Sequence, residues 1–123
     1  MVFTVKFYKD ERKKKPTLEF LRMLQSKNIK LHDLTSASLV KVENSDYHKE
    51  PLIKKVDKED KVWEIRTRAS KVLSRIFFIF YAGQRIVTFN GYIKQDDKID
   101  VGELSLAKRL VKQFWKAGGL NEE

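Results

Sequence analysis

At 123 residues the chain has the length of one domain, 1–123, large enough to bury a core without disulfides or a structural metal. It contains no cysteine, which excludes a disulfide framework, a thiolate metal site and a cysteine nucleophile. Its 26 Lys and Arg against 17 Asp and Glu leave a net charge of +9, a sign that favours a polyanionic partner and salt-sensitive binding without identifying it.

The opening "MVFTVKFYKD" lacks the basic leader and apolar run of a signal peptide, and no stretch reaches the length of a bilayer span. The expectation is a cytoplasmic protein with no membrane partner. Phe3, Val5 and Phe7 alternate with Thr4 and Lys6, the period of a half-buried strand. The charged run "KDERKKK" at 9–15 reads as a solvated loop or, alternatively, a phosphate-binding segment. Pro16 suits a first helical turn, and Leu18, Leu21 and Leu24, widened by Phe20 and Met23, predict a helix over 16–27.

Asn28 interrupts that pattern, and Leu31, Leu34, Ala37, Ser38 and Val42 predict a second amphipathic helix. The following "ENSDYHKEP" reads as a loop. His32 and His48 have no second ligand at metal spacing and read as surface or packing residues. From residue 62 onward, strands are predicted over 63–68, 72–81 and 85–93, joined by the hairpin segments "ASK" and "AGQ". Asp100 stands three residues before Glu103 at capping-box spacing, and Leu104, Ala107, Val111 and Phe114 form the stripe of a last helix that Gly118 and Gly119 stop. One strand, two helices, three hairpin-linked strands and a helix make an α+β fold with a mostly antiparallel sheet.

Within "WEIRTR", period two puts Glu64, Arg66 and Arg68 on one face and Trp63, Ile65 and Thr67 on the other. A two-residue turn at Ser70 and Lys71 sets Arg66 opposite Arg75, and a two-residue turn at Gly83 and Gln84 sets Tyr92 opposite Arg75. Arg75 shares its face with Leu73, Phe77, Ile79 and Tyr81, so its guanidinium needs an anion or acceptor. Two readings stay open: Glu64 bridges an arginine on a solvated sheet face, or the arginines hold phosphate and stabilise charge during phosphodiester cleavage. Beyond the third hairpin strand, Tyr92, Lys94, Asp96, Asp97 and Lys98 are groups that can move protons or, equally, turn residues. Two adjacent Asp without further carboxylates or histidines make a poor two-metal site, so neither metal nor cofactor is expected.

The stretches "VKFYKDERKKKPTLEFLRML", "PLIKK", "VWEIRTR", "RIFFIFYAGQRIVTFNGYIK" and "DKIDVGELSLAKR" together resemble the HigB-like toxins of type II toxin–antitoxin modules, the phage-derived branch of the RelE/ParE superfamily. The most specific parts are the aromatic-Glu-Ile-Arg at 63–66, Arg75 leading an aromatic strand, a glycine-aromatic-x-Lys turn at 91–94, and the capped helix with Glu103, Ala107 and Arg109. The resemblance implies a RelE-like curved sheet with a basic concave face, and a metal-free mRNA interferase that cuts message in the ribosomal A site by attack of the ribose 2′-hydroxyl. By the same resemblance, Arg66 contacts the phosphate, Arg75 stabilises the transition state, and Lys94 and Tyr92 complete the catalytic set. Arg68, Lys98 and Lys71 support RNA and phosphate binding. The implied partners are the ribosome, its mRNA and a helix-turn-helix antitoxin of the HigA type, with operator DNA bound only through the antitoxin complex. Where relatives carry basic and amide residues after the final strand, this chain has Asp96 and Asp97 in "KQDDKID". The competing readings are a non-catalytic interaction protein, either a gyrase-type poison or a decayed toxin that only binds its antitoxin, and a basic RNA-binding module without enzymatic activity.

Overall fold

The computed structural model describes residues 1–96 and 98–120. The order along the chain is β1 (Thr4–Phe7), α1 (Pro16–Lys27), α2 (Ile29–Lys41), β2 (Ile53–Asp57), β3 (Val62–Ala69), β4 (Val72–Tyr81), β5 (Arg85–Lys94) and α3 (Val101–Lys116). Pro16 opens α1 as its φ preference suggests. Asn28 both ends α1 and caps α2, its side chain accepting from the Leu31 N–H at 3.1 Å. Asp100 caps α3 through the Glu103 N–H at 2.9 Å. The reciprocal half of that capping box is absent, because the Asp100 N–H donates to the Tyr92 hydroxyl and the Glu103 carboxylate accepts from Asn90 instead. Gly118 and Gly119 take φ of 94° and 83° past the end of α3, the left-handed conformation that terminates helices.

The strands form one open sheet in the order β1-β5-β4-β3-β2, antiparallel except for β1 beside β5. The α+β class is as expected, with five strands where the pattern predicts four. The extra one is β2, an edge strand whose Lys54 and Lys55 are both exposed, so burial leaves little alternation to read in its sequence. Its neighbouring segment "ENSDYHKEP" is a loop containing a short 3-10 turn at Ser45–Tyr47. The segment 91–94, a turn by the resemblance, is the end of β5, in line with the strand that periodicity predicts over 85–93.

The hairpin β3–β4 has the expected register, with Ala69 paired to Val72 and Arg66 to Arg75. The hairpin β4–β5 differs at its turn: Tyr81, not residue 82, pairs with Arg85, so the loop has three residues, 82–84. A bulge then restores the expected outcome. Between Phe78↔Thr88 and Ile76↔Gly91, the residues Phe89 and Asn90 face the single residue Phe77, and Arg75 pairs with Tyr92 after all. The one-residue slip at the turn and the one-residue bulge cancel.

Each face of the sheet has its own core. On one face, α1 and α2 bury Phe20, Leu24, Leu31 and Leu39 against Ile65, Ile76, Phe78 and Ile86. On the other, α3 buries Ala107, Leu110, Val111 and Phe114 against Phe77, Ile79, Val87 and Phe89. The bulge turns Asn90 toward α3, where its amide donates to the Glu103 carbonyl and carboxylate at 3.1 Å each. Gly91 faces α1 so closely that a Cβ there would overlap the Phe20 ring. A single helix does not cover its whole face, and the part of the sheet left beside it carries the charged row.

Candidate nucleic-acid interface

Direct cross-strand partners share a face of a sheet, as do alternate residues along a strand. Three rows therefore lie side by side on the α3 face: Lys54, Glu64 and Phe77; Arg66, Arg75 and Tyr92; Arg68, Leu73 and Lys94. A recess of about 260 Å³ opens over them, lined by Lys54, Lys55, Glu64, Arg66, Arg75 and Ile99. Its charge is basic in sum, with the one carboxylate of Glu64 against the cations Lys54, Lys55, Arg66 and Arg75.

Arg75 is at the centre of this arrangement and is 1% exposed. Its Nη1 donates to both Glu64 carboxylate oxygens, at 3.1 and 3.3 Å, and its Nη2 donates to the Asp96 carbonyl at 3.0 Å. Its Nε is buried with no hydrogen-bond partner among the described residues. Glu64 is equally buried. Burial raises the Glu64 carboxyl above the ordinary range, and the charges of Arg75, Arg66 and Lys54 pull it only part of the way back. The anion that Arg75 needs is thus supplied from inside the protein, in a buried pair rather than a solvated surface bridge.

Arg66 sits at the mouth of the recess, its side chain 18% exposed, with Nε 3.7 Å from Glu64 and Nη1 4.0 Å from Glu50. Tyr92 stacks on Phe77 with ring centroids 5.6 Å apart. Its hydroxyl accepts from the Asp100 N–H, and burial holds the phenol above its ordinary value, so it stays protonated at neutral pH. Lys94 is 28% exposed and lies 3.9 Å from Asp96. Arg68, Lys71 and Lys98 are exposed, Lys71 in the β3–β4 turn and Lys98 in a bend whose N–H donates to the Asp96 carboxylate. Asp97 lies outside the described residues. The structure thus brings Arg66, Arg75 and Tyr92 into one row with Arg68 and Lys94 beside it, and leaves Lys71 and Lys98 at the periphery.

Neither histidine joins this face. His48 bonds the Val42 carbonyl at 2.7 Å and packs between Phe3 and Phe80, while His32 contacts Asp33. Lys54 does join it, directly across from Glu64, although its exposed strand β2 carries no burial period that would single it out in the sequence. The available signal was the turn-rich "DKED" between "IKKV" and "VWEI", a hairpin cue.

An open, mostly antiparallel five-stranded sheet, with a helix pair on one face and one helix sharing the other with a basic row, is consistent with the RelE-like class of folds. Residues 19–112 match the family described as Phage derived protein Gp49-like (DUF891), and the chain belongs to that family, a toxin family of RelE/HigB type from toxin–antitoxin systems. Membership implies an antitoxin partner. No curated protein matches the chain. Among the described residues, no helix is long and apolar enough to cross a membrane.

Proposed function

We infer that this toxin is a ribosome-dependent mRNA endonuclease of HigB type, acting in the cytoplasm and held in check by a helix-turn-helix antitoxin that carries it to operator DNA. The observation that carries this reading is the alignment of Arg66, Arg75 and Tyr92 in one cross-strand row, flanked by Arg68 and Lys94. A phosphodiester at the mouth of the recess meets Arg66 first. Behind it the buried Arg75, paired with Glu64, acts on a developing anion only as far as the phosphate draws its guanidinium away from that carboxylate. The 2′-oxygen bonds to phosphorus as the bond to the 5′-oxygen breaks, giving a 2′,3′-cyclic phosphate and a free 5′-hydroxyl. The 2′-hydroxyl proton passes to solvent, and the Lys94 ammonium supplies one to the leaving oxygen. Tyr92, kept protonated by burial, donates to the phosphate. Arg68, Lys98 and Lys71 steer the flanking backbone.

The test is a translating-ribosome reaction with a defined message. Cuts within A-site codons are expected with the wild-type protein and lost with Arg66→Ala; message that stays intact with the wild type overturns the reading. One observation favours a second reading: both terminal nitrogens of Arg75 are already bonded, to Glu64 and Asp96. A non-catalytic toxin, such as a gyrase poison, predicts inhibited DNA supercoiling and uncut message.

A further inference from the structure

Strand β2 pairs with β3 only as far as Ile53↔Ile65, with a last bond from the Arg66 N–H to the Leu52 carbonyl. Past that point β3 is bordered by a groove of about 510 Å³, with α2 as one wall and Tyr47, Pro51 and Leu52 on the other. Leu34 and Ala37 of α2, Tyr47, Pro51, Leu52 and Leu73 make it predominantly apolar. Leu34 and Tyr47 are 39% and 45% exposed, unusual for large apolar side chains lining a concavity. The charged side chains lining it are the cations Lys41, Arg66 and Arg68, and the Glu50 carboxylate stands beside Arg66 at 4.0 Å. Arg66 lines both this groove and the recess over Arg75, so the two adjoin at its side chain.

We propose that this groove is a nucleoside subsite that takes the base and sugar of the nucleotide next to the phosphate held at Arg66. The proposal rests on the endonuclease reading for the neighbouring phosphate. An apolar slot with an exposed aromatic ring and a cationic rim is the arrangement that binds single-stranded nucleic acid, the ring and aliphatic walls taking a base and the cations its phosphates. The size admits one nucleoside. The two hydroxyls inside are committed within the protein, Thr67 donating to Ser38 at 2.7 Å and Ser38 to the Leu34 carbonyl at 3.1 Å. Neither has a hydrogen left to donate to a base edge, so the subsite holds bases chiefly by stacking and contributes position more than sequence preference. Lys41, Arg66 and Arg68 outnumber the nearby Glu50 carboxylate, a balance that favours this polyanionic occupant over a neutral peptide.

The experiment uses a fluorescein-labelled hexaribonucleotide with every 2′-oxygen methylated, which binds and is not cut, read by anisotropy beside the ribosome cleavage reaction. Tyr47→Ala and Leu34→Glu alter exposed side chains, and a thermal melt checks that each variant is folded. Tyr47→Ala is expected to weaken binding about five-fold or more, and Leu34→Glu further, with the loss similar for all four homopolymers. Unchanged affinity in both folded variants overturns the subsite even if the wild type cuts message. Groove-dependent binding by a wild type that cuts nothing supports the subsite and sinks the endonuclease reading alone. An amphipathic peptide of leucine and glutamate that occupies the groove when the oligonucleotide does not overturns the proposal in favour of a protein partner.

Discussion

Arg75 Nη1 lies 3.1 Å from Glu64 Oε1, with both residues 1% exposed. Removing one member of such a pair strands a buried charge, which costs about 3–5 kcal/mol. Arg75→Ala is therefore expected to lower the urea midpoint sharply, while Arg75→Met combined with Glu64→Gln recovers most of the loss. If Arg75→Ala unfolds at the wild-type midpoint, the pair is not closed to water as described. For the same reason, lost activity in Arg75→Ala does not separate chemistry from folding. Arg66, at the solvent edge, is the cleaner probe.

Gly91 is a point of close approach between β5 and α1. A Cβ there meets the Phe20 ring well inside contact distance, so Gly91→Ala is expected to destabilise by about 1–3 kcal/mol through overpacking. Phe20→Leu in the Gly91→Ala background should return part of that loss, measured by urea denaturation. No cost for Gly91→Ala would mean that α1 and β5 are not pressed together at this point.

Lys108 of α3 reaches the β2–β3 turn, with Nζ 3.2 Å from Asp57 and 3.6 Å from Asp60. Burial alone would raise the Asp57 carboxyl. The Asp60 N–H, Lys108 and Lys112 outweigh it and hold the group below its ordinary 3.8. Because the folded value is lowered, its stabilisation is present above pH 3.8 and is lost as pH falls through the folded value. Lys108, raised from 10.5 chiefly by its bond to Asp57, contributes below that value and stops contributing as pH climbs through its folded one. Lys108→Met should thus lower Tm across the neutral range, with the gap to wild type closing at both acidic and strongly alkaline pH. A gap independent of pH would show that the lysine acts through its methylene stem instead.

Lys54 stands across from Glu64 on the open face and is exposed. Lys54→Ala should lower Tm only slightly, through its lost attraction to Glu64, and make oligonucleotide binding less salt-sensitive, lowering the slope of log K against log salt by about 0.7 for one lost contact to a single strand. An unaltered slope would place RNA elsewhere.

Where a residue lies along its own strand is a local property, and the chain states it plainly. Period two assigned Glu64, Arg66 and Arg68 to one face, and the short β3–β4 turn set Arg66 against Arg75. The helices were equally legible, because Pro16, Asn28, Asp100 and the terminal glycines act within a few residues of themselves. Local pattern does not carry what depends on distant chain. The β5 bulge is stabilised by Asn90 bonding to α3, so the register that brings Tyr92 to Arg75 depends on a tertiary contact that offsets the three-residue turn. Strand β2 is too exposed to announce itself without β3 beside it.

By itself, then, the sequence determined an α+β chain with a row of arginines on one sheet face, since alternation and hairpin closure act between near neighbours. Only the tertiary structure decided what becomes of that row. Burial beside α3 makes an unpaired guanidinium too costly, so Arg75 is closed onto Glu64 and the Asp96 carbonyl. Arg66, where helix cover ends, is left at the solvent edge between the recess and the α2 groove.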